Sequence, residues 1–205
     1  MSIWAIVPVK PLAESKSRLS PALDPQARER LVVWMLEHEL RVLRDCTPPL
    51  AGTLVVSHDT SVLEIARSCD ATPVKENPGG GLNGALTSGV REAVNRGAET
   101  IVILPTDLPK MIAGDILELL ARIPAAPGVA LAPDRHRTGT NALAESPPDL
   151  LDFEFGETSF LDHCAQARAK HAGLAVVERP GLMLDIDTPQ DLGEIGDLVD
   201  RARLG

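Results

Sequence analysis

The chain has 205 residues, 44% hydrophobic and 2% aromatic, with a formal net charge of −9 at pH 7. That length suits one domain with a full core, built here from Leu, Val, Ile and Ala. An acidic, aromatic-poor chain has neither the basic footprint of a nucleic-acid or anionic-membrane binder nor rings on which bases stack. An anionic small ligand would have to be held by local cations, helix N-termini or a bridging metal ion.

The chain opens on an apolar run, Ile3 to Val9, with no charge before Lys10. Such a run reads as a strand buried on both faces, as in a parallel sheet. A polar loop follows, with Lys10, Ser15, Lys16, Ser17 and Arg18 in nine positions. It reads as an anion cradle at a strand end, where α/β ligands sit. A solvated basic patch is the simpler alternative.

Asp24-Pro25 is a helix start, and apolar spacing carries that helix to about Arg44. Strands are expected at Thr53 to Ser57 and Thr72 to Lys75, with a short helix from Ser61 to Cys69 between them. In ENPGGGLNGALTSGV the glycines permit close backbone approach, and Asn83 is expected to cap a helix to about Gly97. A flexible surface turn would also explain the glycines. Thr100 to Leu104 is another buried strand, ending in PTDLP. A helix from about Ala113 to Ile123 and a strand from Gly128 to Ala132 follow.

Asp134 to Ala144 reads as a polar loop running into a short strand. Phe153 to Phe160 reads as a turn, with Ser159 capping a helix to about Lys170. Leu174 to Glu178 is a strand, and Pro189 opens a last helix to about Arg203. Alternating strands and helices mean α/β, a mostly parallel sheet with helices on both faces, in one domain over residues 1–205.

Asp107 directly follows a buried strand, where a carboxylate suits Mg²⁺. It could equally be a turn-forming Asp before Leu-Pro. Asp185 and Asp187 flank Ile186, so in a strand both would point the same way and need a cation nearby. Asp187 could also cap the last helix. The histidines are scattered, and His163 reads as packing or surface rather than as a ligand. Cys46, Cys69 and Cys164 have no metal-ligand spacing and read as free thiols in a reducing cytoplasm. No signal peptide and no membrane span are expected, so the expected location is the cytoplasm.

VPVKPLAESKSRLS, GGGLNGAL, LPTDLP, TGTNAL, FGETSF and LDIDTP together resemble the 2-phospho-L-lactate/phosphoenolpyruvate guanylyltransferase family. That family lies in the MobA-like, GT-A nucleotidyltransferase superfamily. The resemblance spans essentially the whole chain. TDLP and DTP are common to the superfamily, whereas PVKPL…SKSRL with GTNAL and FGxxSF is more specific. It implies a Rossmann-like fold and Mg²⁺-dependent transfer of GMP from GTP to a phosphorylated three-carbon acid. Pyrophosphate is released, in deazaflavin coenzyme biosynthesis. The implied acids are 2-phospho-L-lactate, phosphoenolpyruvate and 3-phosphoglycerate.

By motif, Lys10, Ser15, Lys16 and Arg18 would hold the triphosphate. Lys16, Arg18 and Asp107 would serve catalysis. Gly81, Asn83 and Ala85 would line the guanosine pocket, and Thr140, Gly156 and Ser159 would hold the acceptor acid. Asp107 and Asp187 would bind metal, Asp187 being favoured over Asp185 because the superfamily's Asp directly precedes Thr-Pro. No nucleic-acid or membrane partner is implied, and a sheet-edge homodimer is compatible with the reading. Two alternatives stay open. One is a molybdenum-cofactor guanylyl- or cytidylyltransferase, whose usual LAGGxSxRMG first loop is absent here. The other is a non-catalytic nucleotide-binding protein of the same fold.

Overall fold

A computed structural model describes residues 2–77 and 79–196. Seven strands form one sheet in the order β3-β2-β1-β4-β6-β5-β7. They are β1 (Ile3–Pro8), β2 (Gly52–Ser57), β3 (Thr72–Lys75), β4 (Thr100–Ile103), β5 (Gly128–Pro133), β6 (Thr140–Ser146) and β7 (Gly173–Val176). Only β6 runs antiparallel, between β4 and β5. The C-terminal ends of the other six therefore share one edge, and the chain turns outward in both directions from β1 and β4. Ligands of open α/β sheets bind at that switch point.

The helices are α1 (Pro25–Arg44), α2 (Thr60–Ser68), α3 (Gly81–Asn95), α4 (Ala113–Ala121), α5 (Ser159–Ala169), α6 (Pro180–Met183) and α7 (Pro189–Leu192). The strand pleat sorts them to two faces. Ala5 and Val7 of β1 pack with Leu31 and Leu36 of α1 and Ile116 of α4. Trp4 and Ile6 pack with Leu86 of α3 and Phe160 of α5. α1 starts as read: Asp24 accepts from the Ala27 N–H at 2.7 Å, and Pro25 needs no donor at the first position. Gly89 brings α3 close to the sheet, since a Cβ there would lie 2.7 Å from Ile6 and 2.9 Å from Val56.

Several local expectations are corrected. Asn83 does not cap α3. The helix begins at Gly81 after Gly80, and Asn83 Oδ1 accepts from the Phe155 N–H at 3.1 Å. Ser159 is the first residue of α5 rather than its cap, Thr158 preceding it. Leu184 to Thr188 is no strand. Both ladder positions beside β4 are taken, by β1 and β6, so this segment crosses the sheet edge. It is tied there by the Ile186 N–H to the Asp107 carbonyl, 3.1 Å. From Pro189 the described residues are helical as expected, through α7, a 3-10 turn at Gly193–Ile195 and Gly196; the rest of the expected helix lies outside the described residues.

Candidate active site

The loop after β1 is built from two 3-10 turns, Leu12–Glu14 and Ser17–Leu19. Between them Lys16 adopts a left-handed backbone, φ 51°, a conformation that costs a non-glycine residue energy and clusters at functional sites. Ser15 is buried, and its hydroxyl donates to the Pro11 carbonyl at 2.9 Å, so it braces the loop.

That brace aims Lys16 across the sheet edge. Its ammonium lies 3.1 Å from Asp107 Oδ2 and 2.9 Å from Asp187 Oδ1, with the lysine side chain 10% exposed. Burial works to lower the Lys16 pKa, but the charges of Asp107 and Asp187 outweigh it and the net shift is upward. Arg18 Nη1 stands 3.6 Å from Asp187 Oδ2 and is largely exposed. Lys10, Lys16, Arg18, Asp107 and Asp187 line one cleft of about 420 Å³, and Ser15 lies in its wall.

Asp187 is free to face Lys16 because another residue does the capping. Asp191 Oδ2 accepts from the N–H groups of Asp187 and Thr188, at 3.0 and 2.7 Å. Arg135 holds its other oxygen at 2.6 Å. Asp185 goes elsewhere, its carboxyl 3.4 Å from the Asn141 amide. Burial, then the charge of Asp107, raise its pKa. Glu39 of α1 is buried without a hydrogen-bond partner for Oε1. Burial, with the charge of Asp107 adding, pushes its pKa well up.

A second lobe of about 310 Å³ adjoins the cleft through Lys10, Glu14 and Leu82. Gly81 and Ala85 line it, together with His58 and Glu76; Asn83 does not. The three acceptor candidates form a separate group at the same edge. The Thr140 N–H donates to Ser159 Oγ at 2.9 Å, and the Ser159 N–H to the Gly156 carbonyl at 3.2 Å. His163 lies beneath them, fully buried, with Nδ1 3.0 Å from Thr140 Oγ1. Its Nε2 faces the Glu154 N–H at 3.4 Å. A backbone N–H only donates, so Nε2 accepts and Nδ1 carries the proton. Nδ1–H then donates to Thr140 Oγ1, and the Thr140 hydroxyl hydrogen is left for another partner. Thr140, Gly156 and Ser159 do not line the 420 Å³ cleft; Asn141, next to Thr140, reaches Asp185, two residues before the cleft-lining Asp187.

The profile described as "Guanylyl transferase CofC like" matches residues 3–197. The chain belongs to this family. It is 44% identical over 195 residues to the phosphoenolpyruvate guanylyltransferase of Sphaerobacter thermophilus, covering 95% of this chain and 93% of that one. The Rubrobacter xylanophilus protein of the same name is 41% identical, with 95% and 94% covered. The 2-phospho-L-lactate guanylyltransferase of Methanothermobacter thermautotrophicus is 34% identical, with 95% and 84% covered. Among solved structures, a Methanothermobacter nucleotidyl transferase superposes with TM-score 0.71 at 19% identity, covering 98% of each chain. At that identity the likeness shows the fold alone.

For a CofC-like guanylyl transferase, the donor set facing Lys16 fits Mg²⁺. That ion takes hard oxygens, commonly one or two carboxylates completed by phosphate oxygens and water. Asp107 and Asp187 face one shared cationic point, now taken by the Lys16 ammonium. Sequence reading missed Glu39, Glu76 and Asp191, and took His58 for one of the scattered histidines. Glu76 had a usable signal: like Asp107, it stands just past the C-terminal end of a parallel strand.

Proposed function

We propose that this protein transfers GMP from GTP to a phosphorylated three-carbon acid with release of pyrophosphate, phosphoenolpyruvate being the favoured acceptor. The observation that carries this is Lys16 between Asp107 and Asp187, in a cleft that opens into a second, less charged lobe. Membership of the guanylyl transferase family supports the donor. Both relatives quoted above 40% identity bear the phosphoenolpyruvate name, which favours that acid over 2-phospho-L-lactate or 3-phosphoglycerate.

The acceptor phosphate is largely ionised at neutral pH, its second pKa being about 6 by analogy with phosphoamino acids. Its oxygen can attack the α-phosphorus of GTP without a general base. Charge neutralisation and in-line placement are what the reaction asks of the protein. Lys10, Lys16 and Arg18 hold the triphosphate. Asp107 and Asp187 would hold Mg²⁺, which when bound neutralises charge on the phosphates. Thr140 and Ser159 offer hydroxyl hydrogens to the acid, each with its oxygen already accepting within the protein.

No helix among the described residues is long and apolar enough to cross a membrane, in keeping with work in the cytoplasm. A homodimer is part of the same reading. The test is incubation of GTP and Mg²⁺ with each of the three acids, followed by mass spectrometry. A guanosine diphosphate-linked acid and pyrophosphate are expected, phosphoenolpyruvate giving the highest kcat/KM. Absence of any guanylylated acid would overturn the reading.

A further inference from the structure

We propose that Glu76 selects guanine: its carboxylate accepts from the N1–H and 2-amino groups of the base, while His58 holds it in place. The inference rests on the guanylyl-transfer reading above. The second lobe differs in character from the phosphate cleft. Leu82, Ala85 and Pro11 give it apolar walls, and Gly79 and Gly81 add no side chains. A Cβ on either glycine would meet nothing within 4 Å, so space is open there. Glu14 and Glu76 also line the lobe, Glu14 beside Lys10 where it joins the cleft, so the part around Glu76 offers a hydrogen-bond acceptor to a ring that donates.

Glu76 is fixed by the sheet. Its N–H donates to the Ser57 carbonyl at 3.1 Å, one step past the end of the β2–β3 ladder. Its side chain is 10% exposed, and Oε1 lies 3.4 Å from His58 Nδ1. Among the described residues it has no other hydrogen-bond partner, which leaves Oε2 uncommitted. Next to His58, Asp59 accepts from the Leu12 N–H at 2.9 Å and from the Ser61 N–H at 2.9 Å. The loops after β1 and β2 are thereby tied together, and the lobe keeps its shape.

An ionised carboxylate only accepts hydrogen bonds and can take two donors side by side. Guanine presents such a pair, N1–H beside the 2-amino group. Adenine has an unprotonated N1 beside a C–H, cytosine an acceptor N3 beside its amino group, and uracil a single N–H between carbonyls. A nearly buried acceptor left unpaired by the wrong base costs affinity, which is how such a site discriminates.

The test measures kcat/KM for GTP, ITP and ATP with phosphoenolpyruvate and Mg²⁺, and nucleotide affinity by calorimetry, in wild type, Glu76→Gln and His58→Asn. ITP lacks only the 2-amino group. Wild type should prefer GTP over ITP by roughly tenfold or more. Glu76→Gln should narrow that ratio to within about threefold. His58→Asn should move it the same way by less. Partial misfolding scales both nucleotides alike and leaves the ratio untouched, so the ratio reports recognition. A wild-type GTP/ITP ratio retained in Glu76→Gln overturns the role of Glu76 alone. Equal use of ATP and GTP by wild type overturns the guanylyl reading, and this proposal with it.

Discussion

Acid should weaken this protein through His163. Burial pushes its imidazole down to about 4, against an ordinary value of 6.5. The folded value lies below the unfolded one, so acid loads protons onto the unfolded chain first. The stabilisation is complete above pH 6.5 and is lost as pH falls towards 4. At pH 5 the loss is about 2 kcal/mol, and below pH 4 it levels off near about 3 kcal/mol. Urea unfolding of wild type and His163→Asn, each at pH 7 and pH 5, measures it. The variant loses stability at both pH values, since it leaves the Thr140 and Glu154 contacts changed. It lacks the titrating ring, however, so wild type should lose about 2 kcal/mol more between the two pH values. The comparison between variants cancels other titrations, including that of Glu145, which acts in the opposite direction. Equal losses in the two proteins would show that His163 is not held neutral against Thr140.

Four further outcomes are expected. Asp107→Asn should lower turnover with GTP, phosphoenolpyruvate and Mg²⁺ by roughly a hundredfold while the fold survives, because the lost charge also relieves Glu39 and Asp185; near-normal turnover with a normal melting curve would reduce Asp107 to a turn residue. Arg18→Ala, a cation reaching the cleft from a largely exposed position, should weaken GTP binding by about 1.5 kcal/mol, read by calorimetry. Ser159→Ala should raise the KM for the acid with GTP affinity nearly constant, and cost about 1–3 kcal/mol of stability because it strands the buried Thr140 N–H. Burial raises Glu145 to about 8, so its folded pKa exceeds the unfolded one, and its stabilisation, complete below pH 4.5, fades as pH rises through 8. Wild type should therefore lose about 1.4 kcal/mol per pH unit between pH 5 and 8 that Glu145→Gln does not, measured by urea unfolding across that range.

Local pattern alone determined the alternation of strands and helices and the span of α1. Runs such as TIVIL and LVV are apolar on both faces because a parallel sheet covered by helices buries both. Asp24-Pro25 started a helix because a cap and a missing donor act within one turn. Where a neighbour from far along the chain competed, local pattern lost. LDID alternates like a strand, yet β1 and β6 already hold both sides of β4. Asn83 and Ser159 have cap chemistry, but one serves Phe155 and the other Thr140. The chemistry itself was legible as residue types at strand ends; its assembly was not. Lys16 meets Asp107 91 positions on and Asp187 171 positions on. His58 meets Glu76 because β2 and β3 end side by side. Sequence spacing carries the periods of helix and strand. Which strand ends become neighbours is decided by the order of the sheet, and that order is set by packing across the whole core.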